Sequence, residues 1–162
     1  MASAGIVSNA GPLISLARID RLDLLPALFG EIIVPPAVYR EVTEHDSLPG
    51  AGVLAQIDWL KRMEVQDHEA VGRLASWLDA GEAEALILAQ QLNITVAIDE
   101  KRGRRLAVEL GVPQTGTVGI LLTAKQRGLI LSVRTLLDQL TAKGIRLSAR
   151  LYEEACRLAT ET

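Results

Sequence analysis

Six residues with oxygen donors sit where short apolar runs end. Asn9 follows the run 5–7. Glu41 lies one turn into the helical pattern that follows 31–34. Glu82 and Glu84 stand at the head of an apolar helical run, and Asp99 and Glu100 directly follow the run 95–98. Hard divalent cations such as Mg²⁺ take oxygen ligands and keep several waters. Converging carboxylates repel one another unless a cation neutralises them. Such a set supports metal-assisted hydrolysis of a phosphodiester, in which the metal activates water and stabilises charge on the leaving oxygen. Each residue also has an ordinary structural reading. Glu82 can cap its helix, and Glu84 can sit at the positive end of the same helix dipole. Glu41 can be solvated on an amphipathic face, Asn9 can hold a turn, and Asp99 can cap the basic helix after it. The signal is their joint placement.

Other chemistries are poorly supported. No Gly-x-x-x-x-Gly-Lys-Ser/Thr phosphate loop is present, and 111–116 lacks a Gly-x-Gly-x-x-Gly pattern. His45 lies in a polar segment and His68 at a predicted helix start, with no metal-ligand spacing between them. The single cysteine, Cys156, rules out an internal disulfide and a Cys-rich zinc site, so the cytoplasm is the expected compartment. It falls on an apolar stripe and is expected to pack.

Alternating short strands and helices must position these residues. Strands are predicted over 5–7, 31–34, 63–65, 95–98 and 112–115. Helices are predicted after Pro12, then over 22–28, 36–43, 68–78, 81–92, 101–110 and 117–127, with two more capped by Ser132 and Ser148. The segment 44–52 reads as a loop. Asp79, followed three residues on by Glu82, resembles a capping box. The run 81–92 is apolar on nearly every side and is expected to be buried. The pattern gives an α/β fold, a short parallel β-sheet sandwiched between α-helices, in which ligands bind outside the carboxyl ends of the strands.

The chain has 162 residues, 49% hydrophobic and 23% charged. A single domain over 1–162 is expected, since domains commonly span roughly 100–200 residues. No uncharged apolar run approaches the ~18 residues of a membrane span. The first twenty residues lack a basic start and are broken by Ser8-Asn9 and Gly11-Pro12, so no signal peptide is expected. A net charge of −3 excludes a globally basic nucleic-acid binder but leaves a local basic face open. Aromatics make up 3% of the chain and are scattered, against a sheet-based stacking platform. The apolar stripes within 132–143 and 148–160 belong to terminal helices with few neighbours, and predict a homodimer.

Several motifs together carry a family resemblance. They are Val7-Ser8-Asn9-Ala10-Gly11-Pro12-Leu13-Ile14, Pro35-Pro36-Ala37-Val38-Tyr39-Arg40-Glu41-Val42 and Gly81-Glu82-Ala83-Glu84-Ala85. Ile98-Asp99-Glu100-Lys101-Arg102-Gly103-Arg104-Arg105 and Gly116-Thr117-Val118-Gly119-Ile120 follow them. In their order and spacing the chain resembles PIN-domain proteins of the small prokaryotic DUF3368 branch over nearly its whole length. The resemblance implies a metal-dependent ribonuclease acting on RNA with Mg²⁺ or Mn²⁺, a toxin of a toxin–antitoxin pair with a protein antitoxin, and a homodimer. It places the family's acidic positions on Asn9, Glu41, Glu82 and Asp99, with Glu84 and Glu100 as competing choices for the last two. Asn9 departs from the family pattern, because an amide oxygen ligates without bringing charge. That departure leaves a second reading, a non-catalytic nucleic-acid or protein-binding module with a weakened site. Lys101, Arg102, Arg104 and Arg105 follow the acids and can hold RNA phosphates. Thr115 and Thr117 flank a turn at the same edge, where their hydroxyls can bond a phosphate or cap the next helix.

Overall fold

The computed structural model describes residues 5–44 and 51–162. Five strands, β1 (Ile6–Ser8), β2 (Ile32–Val34), β3 (Leu60–Arg62), β4 (Thr95–Ala97) and β5 (Gln114–Thr115), form one parallel sheet in the order β3-β2-β1-β4-β5. Ile6 of β1 pairs with Ile32 on one side and Thr95 on the other. The helices are α1 (Ala10–Arg18), α2 (Leu24–Phe29), α3 (Pro36–Glu44), α4 (Ala51–Ala55), α5 (His68–Leu74), α6 (Ala80–Leu92), α7 (Lys101–Glu109), α8 (Thr117–Gln126), α9 (Val133–Ala142) and α10 (Ala149–Leu158).

Successive strand residues point to opposite faces, and the core divides accordingly. Ile6, Ile32, Val34 and Ala97 join the buried faces of α1, α2, α8 and α9. Val7, Ile33, Val96 and Ile98 pack with α5, α6 and α7 on the other side. The result is the three-layer arrangement expected from the sequence, with the central strands buried on both faces. Gly30 ends α2 at φ 73°, a backbone that glycine adopts without strain. Asp79 caps α6 by accepting from Glu82 N at 2.8 Å, and α6 is buried along most of its length.

Three expectations need correction. The third strand lies at Leu60–Arg62 rather than 63–65. It carries two exposed cations, Lys61 and Arg62, which a central strand would exclude but an edge strand tolerates. The helix begun by His68 ends at Leu74 rather than at residue 78. The apolar stripe of α9, Val133, Leu136, Leu137 and Leu140, is buried within the chain and leaves no free face there. On α10, by contrast, Leu151 and Leu158 remain exposed while Ala155 and Cys156 are buried. The predicted loop over 44–52, with His45, falls largely outside the described residues.

Glu161 ties three helices together. Its carboxylate accepts from Lys125 Nζ at 2.8 Å, Ser132 Oγ at 2.6 Å, Val133 N at 2.7 Å and Arg134 N at 3.2 Å. It thus satisfies the free N–H groups that open α9 while holding α8. Burial opposes its charge, but these hydrogen bonds outweigh burial and hold its carboxyl at about 2. Glu161→Gln is expected to cost about 2 kcal/mol, a drop of about 4–8 °C in melting temperature for a chain of this size. A carboxyl lowered by folding stabilises above its unfolded pKa and loses that contribution as pH falls toward its folded pKa. The wild-type advantage therefore holds at pH 7 and fades from about pH 4.5 toward pH 2, which melts of both proteins across that range would show.

Candidate functional site

The chain leaves β1 toward β2 on one side and later enters β4 on the other. The β1–β4 boundary is therefore the point where strand order reverses, and a crevice opens there at the carboxyl ends. Asn9 follows β1 and Asp99 follows Ile98 at the end of β4. Asn9 N donates to Ala97 O at 2.8 Å, which fixes the two strand ends against each other. Asn9 is 6% exposed, and its amide side chain makes no hydrogen bond with a described residue. Its backbone opens α1 as the N-cap, but its side chain does not cap the helix.

Asp99 is held by one residue through both oxygens. Oδ1 accepts from Thr117 N at 2.7 Å and Oδ2 from Thr117 Oγ1 at 2.7 Å. It sits at the start of α8, where the helix dipole favours a negative charge. The N-cap of α7 is Glu100, so Asp99 does not cap the basic helix. The Thr117 hydroxyl donates to Asp99 rather than capping its own helix. Two glycines leave room for the carboxylate. A Cβ on Gly116 would lie 2.7 Å from Asp99 Oδ1, and one on Gly11 would lie 3.2 Å from Oδ2.

Glu41, on α3, comes to the same place through α6. A Cβ on Gly81 would lie 3.3 Å from Glu41 Oε2 and 3.5 Å from Asn9 Oδ1. Gly81 thus lets a helix head approach both oxygens. Glu82 and Glu84 are two residues apart on a helix, about 200° around its axis, and face different neighbours. Glu82 Oε2 lies 3.6 Å from where a Cβ of Gly103 would sit, against α7. Glu84 Oε1 instead accepts from Ala37 N at 3.2 Å and satisfies a free N–H at the start of α3. Burial, then a hydrogen bond shared with Asp79 and the like charges of Asp79, Glu100 and Glu41, push Glu82 up to about 7.

The donors are hard oxygens, predominantly acidic, arriving from four segments at one edge. Among the described residues, however, no three His, Cys, Asp or Glu side chains gather closely enough to enclose a cation. The set fits a hydrated divalent ion held by one or two direct ligands, with waters completing its shell, and does not fit a closed protein cage. A cation there would offset the repulsion that raises Glu82.

The basic helix divides its arginines between two hollows. Arg104 bonds Gln114 at 2.9 Å and lines a groove of about 460 Å³ that runs from Asp99, Thr115 and Thr117 to Leu151 and Leu158. Arg102 and Arg105 line a second hollow on the other side of α7. Sequence reasoning expected the acids at this edge but missed Thr117 as the clamp on Asp99, and missed the glycines that admit the carboxylates. A signal was present: Gly81 occupies a helical position, where most other residue types favour the helix more.

A five-stranded parallel sheet between helices, with acids at its carboxyl edge, is the architecture of PIN-type proteins, a nuclease superfamily. The family model for DUF3368, described as a PIN domain, matches residues 5–161, and the chain belongs to that family. PIN domains generally use divalent metals and bind nucleic acids. No curated protein matches the chain. Among the described residues, no helix is long and apolar enough to cross a membrane.

Proposed function

We propose that this protein is an endoribonuclease of PIN type that depends on Mg²⁺ or Mn²⁺. The observation that carries the reading is the meeting of Asn9 and Asp99 at the β1–β4 crevice, where the Asn9 side chain is nine-tenths buried and makes no hydrogen bond with another described residue. Asn9, Glu41, Glu82 and Asp99 would hold the ion, one or two of them directly and the others through its waters. When bound, it supplies an activated water and a counter-charge for the phosphate. Thr117 is a positioning residue that fixes the direction of both Asp99 oxygens. Glu82 and Glu41 add negative potential that draws the cation to this edge, while Glu84 serves α3 and Glu100 stands one residue outside, at the head of α7. Arg104 and Thr115, on the groove that starts at Asp99, would meet the RNA backbone. The protein is expected to cleave single-stranded RNA with either cation and to stop when the cation is chelated. Absence of cleavage with both would overturn the reading.

A toxin role with a protein antitoxin, acting in the cytoplasm, extends this proposal, and unaltered growth on expression of the active protein would count against it. A homodimer is supported by the exposed Leu151 and Leu158 of α10. A monomeric mass by light scattering, independent of concentration, would remove it.

Two observations favour a second reading, a binding module that kept the fold without catalysis: Asn9 brings no charge, and among the described residues the acids do not close into a cage. Calorimetry separates the two, because such a module need not bind Mn²⁺.

A further inference from the structure

Between the segment that precedes α6 and the outer face of α7 lies a cavity of about 510 Å³, within the roughly 300–1,000 Å³ typical of ligand pockets. Leu74, Leu106 and Leu110 form its apolar walls. Trp77 also lines it and is 55% exposed, an unusual placement for the largest apolar side chain. Arg102, Arg105 and Glu109 complete it, and their spacing of three and four residues puts them on one face of α7. Arg102 Nη1 donates to the Trp77 carbonyl at 3.2 Å, which anchors the tryptophan segment to the helix. Among the described residues, neither Arg105 nor Glu109 has a side-chain hydrogen bond or ion pair. The cavity therefore combines a flat aromatic surface, two cations and one free carboxylate.

The wall formed by α7 also meets the acidic edge, since Glu82 Oε2 lies 3.6 Å from where a Cβ of Gly103, next to Arg102, would sit. Trp77 lies two residues before Asp79, which caps the helix that carries Glu82. Arg102 lies three residues after Asp99. A strand of nucleic acid passing the acids would meet this hollow next.

Resting on the ribonuclease reading, we propose that this cavity is a nucleobase subsite for single-stranded RNA. A base stacks on the Trp77 ring, and Arg102 and Arg105 face its flanking phosphates. An aromatic face accepts any base by stacking. The carboxylate adds a preference, because guanine presents two adjacent donors, N1–H and its amino group, to one acceptor pair. Guanine is the base this chemistry selects.

The test uses the full chain in chelator, so that binding is read without cleavage. Trp59→Phe leaves Trp77 as the sole fluorescent reporter. An oligouridine containing one guanine is expected to quench Trp77 and to bind more tightly than oligouridine alone. Trp77→Ala should weaken binding roughly 5- to 150-fold, Trp77→Phe should retain most of it, and Glu109→Gln should abolish the guanine preference. Quenching without a guanine preference overturns the guanine assignment. Unchanged affinity in Trp77→Ala, in a protein that still cleaves RNA with Mn²⁺, overturns the subsite alone. A wild-type protein that binds no RNA in chelator but cleaves it with Mn²⁺ overturns the subsite alone, and one that cleaves with neither Mg²⁺ nor Mn²⁺ overturns the ribonuclease reading.

Discussion

Asp99→Ala is expected to lower cation-dependent RNA cleavage by about a hundredfold or more, and Gly116→Ala to reproduce most of that loss without removing an acid. The reason is steric. A methyl group on residue 116 would land 2.7 Å from Asp99 Oδ1 and 3.4 Å from the Ile98 carbonyl. The carboxylate has little freedom to yield, because Thr117 holds both of its oxygens. It would have to leave the Thr117 amide and swing out of line, and displacements of about 1 Å in a catalytic group commonly cost about a hundredfold. Thr117→Val removes only the hydroxyl bond and keeps the amide bond, so a smaller loss of about tenfold is expected. Single-turnover cleavage at saturating Mn²⁺ ranks the three. Full activity in Gly116→Ala would mean that the direction of Asp99 does not matter to the reaction.

Asn9→Asp is expected to act in opposite directions on the free and metal-bound protein. The side chain is 6% exposed and shares the Gly81 cleft with Glu41. A new carboxylate there is desolvated and meets a like charge, so the melting temperature in chelator should fall. With a cation bound, the same charge is attracted instead. One added charge at roughly 4 Å from a divalent cation is worth about 8 kcal/mol at an effective dielectric of 20. After its desolvation cost, a gain of about ten- to a hundredfold in Mn²⁺ affinity remains. Calorimetry gives the affinity, and melts with and without Mn²⁺ give the two signs. If Mn²⁺ fails to raise the melting temperature of the variant more than that of wild type, Asn9 does not face a cation.

The parts of the molecule that follow local rules were legible from the sequence. The α6 run has a capping aspartate, an apolar circumference and Asn93 at its left-handed end, and each feature agrees with the others. β1, β2 and β4 are short apolar runs closed by polar residues or proline, and they lie close to where they were expected. β3 was misplaced because Lys61 and Arg62 break the apolar pattern, and only its place at the sheet edge makes them acceptable. The acids could be found from their positions after strands. Their separate duties could not, because these depend on neighbours distant in sequence. Glu84 is occupied by an amide 47 residues away, and Asp99 by a threonine 18 residues on. The basic helix shows the same limit. Periodicity separates Arg104 from Arg102 and Arg105, but only the packing of α7 turns that separation into two different hollows.

If the β1–β4 crevice holds a divalent cation, diffraction from a crystal of the wild-type protein soaked in Mn²⁺ will reveal it. An anomalous peak is predicted among Asn9, Glu41, Glu82 and Asp99, within about 2 Å of at least one carboxylate oxygen, with waters filling the rest of its shell. A well-ordered crevice that shows no peak at millimolar Mn²⁺, or Mn²⁺ bound only elsewhere on the surface, would contradict it.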